Sequence, residues 1–235
     1  MWVHRYNAAM HLSVVIPALN EADNIAATLA PLQAMRARGV EVIFVDGGST
    51  DATRHHAAPL VDRIVESARG RATQMNAGAK MATGDTLLFL HADSILPPDA
   101  DTLIGEGLQS VPHTWGRFDV TIEGQHFFLP VVAWFMNHRS RLTGIATGDQ
   151  GLFMTTAAFN VAGGFKDMSL MEDVAMCVAL RKNCAPFCIA QKMVTSGRRW
   201  EKHGVWRTIL LMWRLRLAYF FGADPAALHR AYYGK

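Results

Sequence analysis

The sequence predicts an α/β fold with a mixed, mostly parallel central sheet flanked by helices, and three observations carry that prediction. Two short apolar runs, Val45–Asp51 (VDGGSTD) and Thr86–Asp93 (TLLFLHAD), read as strands that end abruptly on acidic residues. Strand-like and helix-like segments alternate through the first part of the chain, a βαβαβαβ order that implies parallel strands covered on both faces. A carboxylate at the carboxyl end of a buried strand projects into the crevice where open α/β sheets hold ligands, so the same runs point to a binding site.

In chain order, Ser13–Pro17 (SVVIP) reads as the first strand. Glu21–Arg38 reads as a helix with Asn20 as its N-cap and Gly39 as its stop. Glu41–Val45 is a second strand, Asp51–Ala58 a short helix and Arg63–Val65 a third short strand. Arg71–Met81 is a helix closed near Gly84, and Thr86–His91 is the fourth strand. Beyond Asp93 the pattern changes. Pro98–Leu108 reads as helical, Trp115–Glu123 as extended, Pro130–Leu142 as a helix with Pro in its first turn, and Gly148–Met154 as extended. Ser169–Glu172 (SLME) has the form of a capping box opening a helix that runs to Lys182. The last forty residues make a basic, aromatic unit centred on Val205–Phe221. With no internal repeat or low-complexity linker, the chain divides into a tail (1–11), one α/β domain (12–194) and a C-terminal helical extension (195–235).

The chain has 235 residues, half of them hydrophobic, enough for a large core. A net charge of +3 is too weak to argue for a nucleic-acid partner. The positive charge is uneven, with Lys192, Arg198, Arg199, Lys202, Arg207, Arg214 and Arg216 set against Glu201 alone, a segment suited to phosphates of a substrate or of a lipid surface. Cys177, Cys184 and Cys188 lack zinc-ligand spacing and read as reduced thiols. The N-terminus has no continuous apolar run of the secretory kind, and no charge-free stretch is long enough to span a bilayer. These features predict a cytoplasmic protein, with a peripheral position on the inner face of the cell membrane left open.

Several short constellations can carry chemistry, and each also has a plain structural reading. Pro17-Ala18-Leu19-Asn20-Glu21 leads from a strand into a helix, whose free N–H groups and dipole favour phosphate; it is equally an ordinary cap. Asp46, followed by Gly47 and Gly48, can accept an N–H of a nucleobase while the glycines let backbone approach the ligand; Asp51 reads as a cap. Arg71 can reach a base or a diphosphate, whereas Arg69 reads as surface. His91 and Asp93 share one side of an extended segment and can ligate Mg²⁺ or Mn²⁺, the ion that neutralises a departing diphosphate; the same triplet also suits a turn. Glu172 and Asp173 lie in a helix's first turn, where acids are stabilised in any case. Functionally, Asp173 suits a general base for an acceptor hydroxyl, with Glu172 or Asp149 positioning that acceptor. Arg198-Arg199-Trp200 can hold a diphosphate and stack on a ring.

Taken together, SVVIPALNEADNI, EVIFVDGGSTDAT, GRATQMNAGAKMATGDTLLFLHAD, GDQGLFM, GGF, MEDV and RRW resemble, in content and order, a family-two glycosyltransferase with a GT-A fold. The resemblance covers roughly residues 12–200, and is greatest to the radical-SAM/selenodomain-associated bacterial subgroup, which also shows LHAD, GDQG, MEDV and SxRRW. It implies inverting transfer from a nucleotide-diphosphate sugar, with a UDP-sugar favoured and GDP an alternative. It assigns base and ribose contacts to Pro17, Asn20, Glu21 and Asp46, with Arg71 nearby, and the diphosphate end to Arg199 and Trp200. It gives the divalent metal (Mn²⁺ or Mg²⁺) to Asp93, the general base to Asp173, and acceptor positioning to Asp149 and Gln150. Two departures stand out: His91 occupies the first place of the usual DxD, and Gly47 replaces the second acid of DDGSTD. A non-catalytic nucleotide-sugar binding module would keep Asp46 and Asp93 but has no need of Glu172-Asp173. A nucleotidyltransferase would show a glycine- and lysine-rich phosphate loop where PALNEADN stands. In Val205–Phe221, Arg207 and Arg214 share a helical face and Arg216 lies roughly opposite. That helix suits a protein partner, a second copy of the chain or a membrane interface. In the last case the helix near Pro130–Met136 would join it, close to where a lipid-linked acceptor enters.

Overall fold

The computed structural model describes residues 10–109 and 113–234, so most of the expected N-terminal tail lies outside the described residues. The chain runs β1 (Leu12–Ala18), α1 (Ile25–Leu29), α2 (Leu32–Arg36), β2 (Glu41–Asp46), α3 (Thr53–Ala57), β3 (Arg63–Glu66), α4 (Arg71–Met81), β4 (Thr86–Phe89), β5 (Ser94–Ile95) and α5 (Ala100–Gln109). It continues through β6 (Trp115–Glu123), α6 (Leu129–Thr143), β7 (Leu152–Thr155), α7 (Thr156–Ala162), α8 (Glu172–Leu180) and β8 (Phe187–Ser196), and ends on α9 (Arg198–His203), α10 (Val205–Phe220) and α11 (Pro225–Tyr233).

Among the described residues the strands form one eight-stranded sheet in the order β3-β2-β1-β4-β7-β6-β8-β5. The first four are parallel, so their carboxyl ends share one edge. β7 runs against both β4 and β6, β6 and β8 are parallel, and β5 closes the far side against β8. This is the expected mixed, mostly parallel sheet. Alternation along the strands sends side chains to two cores. Val14, Ile16, Val42 and Phe44 pack under α1, α2 and α5, while Val15, Ile43, Val45 and Phe89 pack under α4, α7 and α8. α4 lies so close to the sheet that a Cβ on Gly78 would stand 2.4 Å from Val15 Cγ1.

Pro17 sits within β1, a central strand, where a missing N–H would normally break a ladder. β4 pairs with β1 only as far as Val15, so the proline falls just past the last bond on that side. The helix expected over Glu21–Arg38 is instead two short helices, because Pro31 cannot donate into the turn before it and starts α2 afresh. Asn20 is not its N-cap. It lies in the left-handed region at φ 55°, its N–H donates to Ser49 Oγ (3.0 Å), and its Oδ1 accepts from Thr50 N (2.8 Å). The Ser169–Glu172 capping box does not form either, since the residue before α8 is Met171 at φ 71°, with no side-chain cap. Gly148–Gln150, expected as extended, is a single 3₁₀ turn ahead of β7.

A polar network around buried Glu41 ties the amino end of the sheet. Glu41 accepts from Ser13 Oγ (2.6 Å), Thr83 N (2.8 Å), Thr83 Oγ1 (3.0 Å) and Arg63 Nε (2.9 Å). Burial pushes its carboxyl up, but the Ser13 and Thr83 donors and Arg63 outweigh it and hold the group below the ordinary glutamate range. A folded-state value below the unfolded one stabilises fully above the unfolded value and is lost as pH falls through the folded one. Glu41→Gln is therefore expected to cost about 1–3 kcal/mol near neutral pH and much less in acid. Urea midpoints of both proteins at about pH 7 and about pH 2.5, well below the ordinary glutamate value, check this; an equal loss at both would refute the ionic account.

Candidate active site

The carboxyl ends of β1, β2 and β4 open on one crevice. Asp46, the last residue of β2, is buried, and its Oδ1 accepts from Ser49 N (3.0 Å), which shapes the Gly47-Gly48 turn. Gln74 of α4 holds the two neighbouring strand ends together, donating to Ala18 O (2.8 Å) and Val45 O (2.9 Å). Asp51 is structural but not the N-cap, which is Ala52; its carboxylate accepts from Thr53 N and Ala22 N and closes the turn before α3. Beyond β4, His91-Ala92-Asp93 is pinned by Thr28 Oγ1, which donates to Ala92 O (2.8 Å), and by Ser196 N, which donates to Asp93 O (3.2 Å). Pro17, Asn20, Glu21, Asp46, His91 and Asp93 thus stand on one edge of the sheet.

The acidic end of α8 reaches this edge through the turn before β7. Gly148 N donates to Asp173 Oδ2 (2.8 Å), and the next residue, Asp149, meets His91 Nδ1 at 3.2 Å. Burial disfavours the charged imidazole, but the Asp149 hydrogen bond, with the charges of Asp149 and Asp93, raises its pKa; His91 in turn holds Asp149 low against its own burial. Gly148 is required at this turn, since a Cβ there would lie 2.2 Å from His91 Nε2. Nδ1 of His91 is thus taken by Asp149, and the close approach of Gly148 shows how tightly the ring is packed against this turn. Glu172 is almost fully buried, with Arg71 Nη1 3.7 Å from its carboxylate; burial first, then the neighbouring Asp173 charge, pushes its pKa up. Met171, in a left-handed conformation costing about 1–3 kcal/mol, sets the direction in which Glu172 and Asp173 leave the chain.

Two expected residues stand elsewhere. Gln150 is fully buried, its Nε2 donating to Ser140 Oγ (3.1 Å), so it builds the turn rather than presenting an amide to an acceptor. Trp200 packs beside Leu129, Val132 and Val205 and lines an open cleft of about 570 Å³ with His126, Trp206 and Arg207. Arg199 lies over the Tyr232 ring at 3.4 Å and donates to Tyr232 O (2.7 Å), while Arg71 Nη2 donates to Tyr233 Oη (3.3 Å). Burial pushes the Tyr232 phenol up to about 12.

Two further arginines reach the crevice, one from RRW and one that the sequence did not single out. Arg198 Nη2 bridges Glu21 (2.9 Å) and Asp93 (3.4 Å), set there because β8 ends beside Asp93 and Gly197 passes so close that a Cβ would touch Glu123 O at 2.1 Å. Arg139 of α6 has Nε and Nη2 buried with no hydrogen-bond partner. Burial lowers its pKa while the charges of Asp173 and Asp149 oppose that. RRW gave a signal for Arg198, expected with Arg199 at a diphosphate; nothing in the local sequence marks Arg139.

As for a divalent cation, the described residues contain no group of three or more His, Cys, Asp or Glu able to hold one. Asp93 offers one partly exposed carboxylate, paired with Arg198. That donor set fits a cation arriving with a diphosphate, whose oxygens supply the remaining ligands, rather than one caged by protein.

The Glycosyl transferase family 2 model matches residues 13–161, well over half of the chain; the match includes Asp46 and Asp93 and stops short of Asp173. Among curated proteins, the PGL/p-HBAD biosynthesis glycosyltransferase of Mycobacterium bovis (strain BCG / Pasteur 1173P2) is 41% identical over 103 residues, 41% of this chain and 40% of that protein. The chain thus spans about two fifths of the length of that relative. Among solved structures, the mannosyltransferase PcManGT from Pyrobaculum calidifontis, in complex with GDP-Man and Mn²⁺, superposes with a TM-score of 0.66 at 20% identity, covering 96% of this chain and 69% of that one. S. aureus TarS 1-349 in complex with UDP-GlcNAc gives 0.62 at 17% identity, covering 80% and 58%. At these identities the likeness establishes the fold, which is that of the GT-A glycosyltransferases.

Proposed function

This chain belongs to glycosyl transferase family 2, and we propose that it transfers a sugar from a nucleotide-diphosphate donor to a hydroxyl acceptor with inversion, a UDP-sugar being the favoured donor. Within the family we place it with the radical-SAM/selenodomain-associated subgroup, on LHAD, GDQG, MEDV and RRW. The observation that carries the reading is the turn at Gly148-Asp149, which joins Asp173 (2.8 Å from Gly148 N) to the strand edge bearing Asp46, His91 and Asp93. Donor and acceptor chemistry thereby share one crevice.

In this mechanism Asp46 and the Asn20–Glu21 turn hold the base and ribose. Asp173 takes the proton of the acceptor hydroxyl as its oxygen bonds to the anomeric carbon. The bond from that carbon to the diphosphate oxygen breaks with inversion, and its electron pair leaves with the nucleoside diphosphate. Arg198, released from Glu21 and Asp93, can turn to the diphosphate, and Arg71 and Arg199 add positive charge on the same side. A divalent cation held at Asp93 with the diphosphate would neutralise charge on the leaving group. Asp149, held by His91, faces the acceptor side, and Glu172, almost fully buried beside Arg71, supports the start of α8 rather than meeting substrate. The acceptor class left open by these residues includes lipid-linked hydroxyls. Three unpaired cysteines, with Cys177 buried and its thiol pushed up to about 12 by that burial, support a cytoplasmic location.

Calorimetric titration with UDP and with GDP, each with and without Mn²⁺, tests the donor assignment. Metal-enhanced binding of UDP above GDP is expected. Absence of binding to either would move the chain to a degenerate or partner-dependent module.

A further inference from the structure

The outer surface of α10 carries a stripe of apolar side chains that nothing among the described residues covers. Trp206, Leu210, Trp213, Leu217 and Phe220 are 61%, 68%, 72%, 60% and 82% exposed. Their spacing keeps them within a sector of about 80° on the helix. The opposite face is also apolar but packed, with Leu211, Met212, Leu215 and Ala218 against Leu170, Met171 and Leu228. The helix is therefore apolar on two sides, which is why Arg216 falls roughly opposite Arg207 and Arg214. Arg207 and Arg214 border the exposed stripe on one side and Arg216 borders it on the other, each at about 80–100° from its centre. α6 adds exposed Trp134, Phe135 and Leu142, and the two helices meet where Phe128, just before α6, and Trp206 lie 4.6 Å apart between ring centroids with their planes tilted by 45°.

We propose that the α6–α10 face lies on an anionic lipid bilayer, with the Trp, Leu and Phe side chains in the headgroup–acyl boundary and the bordering arginines at the lipid phosphates. Neither helix contains an acidic residue, and Arg207, Arg214 and Arg216 form no ion pair among the described residues, so their charge is free to meet an anionic surface. The same charges oppose a second copy of the chain as the occupant, because a two-fold contact of the stripe on itself would set arginine borders together with no acid to relieve them. No described helix is long and apolar enough to cross a membrane, so the contact is with the surface. The packed side of α10 rests on Leu170 and Met171, immediately before Glu172 and Asp173. On the transferase reading, docking would therefore hold the start of α8 about one helix diameter, roughly 10 Å, from the bilayer, within reach of a lipid-linked hydroxyl.

Flotation with phosphatidylcholine vesicles, alone or with about one quarter phosphatidylglycerol, tests this against the same protein carrying Trp213→Ser and Leu217→Ser. The expected result is partition onto the anionic vesicles, weakened at high salt and reduced about tenfold or more in the double variant, with UDP binding unchanged between the two proteins. Failure to float with either vesicle would overturn the proposal. So would equal flotation of the variant, or a dimer in light scattering that the substitutions dissolve while vesicles retain neither protein. UDP titration of the same samples separates the two readings: loss of vesicle binding with UDP binding intact strikes only the membrane surface, and absence of UDP binding strikes only the transferase.

Discussion

Replacing Asp173 with Asn is expected to lower glycosyl transfer about 10²–10⁴-fold, the usual contribution of a general base, while leaving nucleotide affinity unchanged. The substitution keeps the shape of the side chain and an oxygen able to accept from Gly148 N, now at 2.8 Å, so the turn that carries Asp149 is retained. What it removes is the capacity to take a proton. Glu172 is not placed to take over, because it is almost fully buried and its carboxylate faces Arg71 at 3.7 Å. Single-turnover transfer and calorimetry on one preparation check both halves of the expectation. Full transfer by the variant would exclude Asp173 as the base, and a parallel loss of nucleotide binding would show that the change had disturbed the strand edge.

The sequence carried the strands and helices whose signals are local. Arg71–Met81 and Trp115–Glu123 form with the expected bounds, the first ending just before Gly84 and the second fixed by a run of β-branched and aromatic residues. It misled where one local signal competed with another or with tertiary contacts. Asn20 has the composition of a cap, yet its side chain is taken by the Ser49–Thr50 turn across the crevice. Ser169 and Glu172 have capping-box spacing, but the chain enters α8 through Met171, left-handed and buried in one cluster with Leu215 and Leu228. β8 gave no clear period because a register shift beside Phe118 and Asp119 interrupts the alternation. The carboxylates of the site were legible because each closes a strand or opens a helix. Arg198 and Arg139 are brought in by elements far away in sequence, so local composition could not say which arginine of RRW faces Asp93, nor that a residue of α6 stands near Asp173. The arginines of α10 made sense only once two apolar faces had been distinguished by what covers them.

Asp93→Ala is expected to abolish the enhancement of UDP binding by Mn²⁺ while leaving a weaker, metal-independent affinity in place. The reason lies in how few protein ligands the crevice offers. His91 holds Asp149 through Nδ1 at 3.2 Å, and Asp93 is the carboxylate at the end of β4 that is partly exposed and placed for a cation shared with the diphosphate. A charged contact of this kind is worth about 1.5–3 kcal/mol, roughly a ten- to hundredfold change in affinity. The base and ribose contacts expected from Asp46 and the Asn20–Glu21 turn do not involve Asp93, and so should persist. Arg198 makes the measurement discriminating, because in the free protein it already neutralises Asp93 and is shared with Glu21. Removing Asp93 frees this guanidinium from one partner, so metal-free UDP binding should hold or improve slightly, whereas general damage to the site would weaken it. Retained Mn²⁺ enhancement in the variant would move the cation away from the end of β4. Loss of all UDP binding would make Asp93 a structural support of the nucleotide pocket rather than its metal ligand.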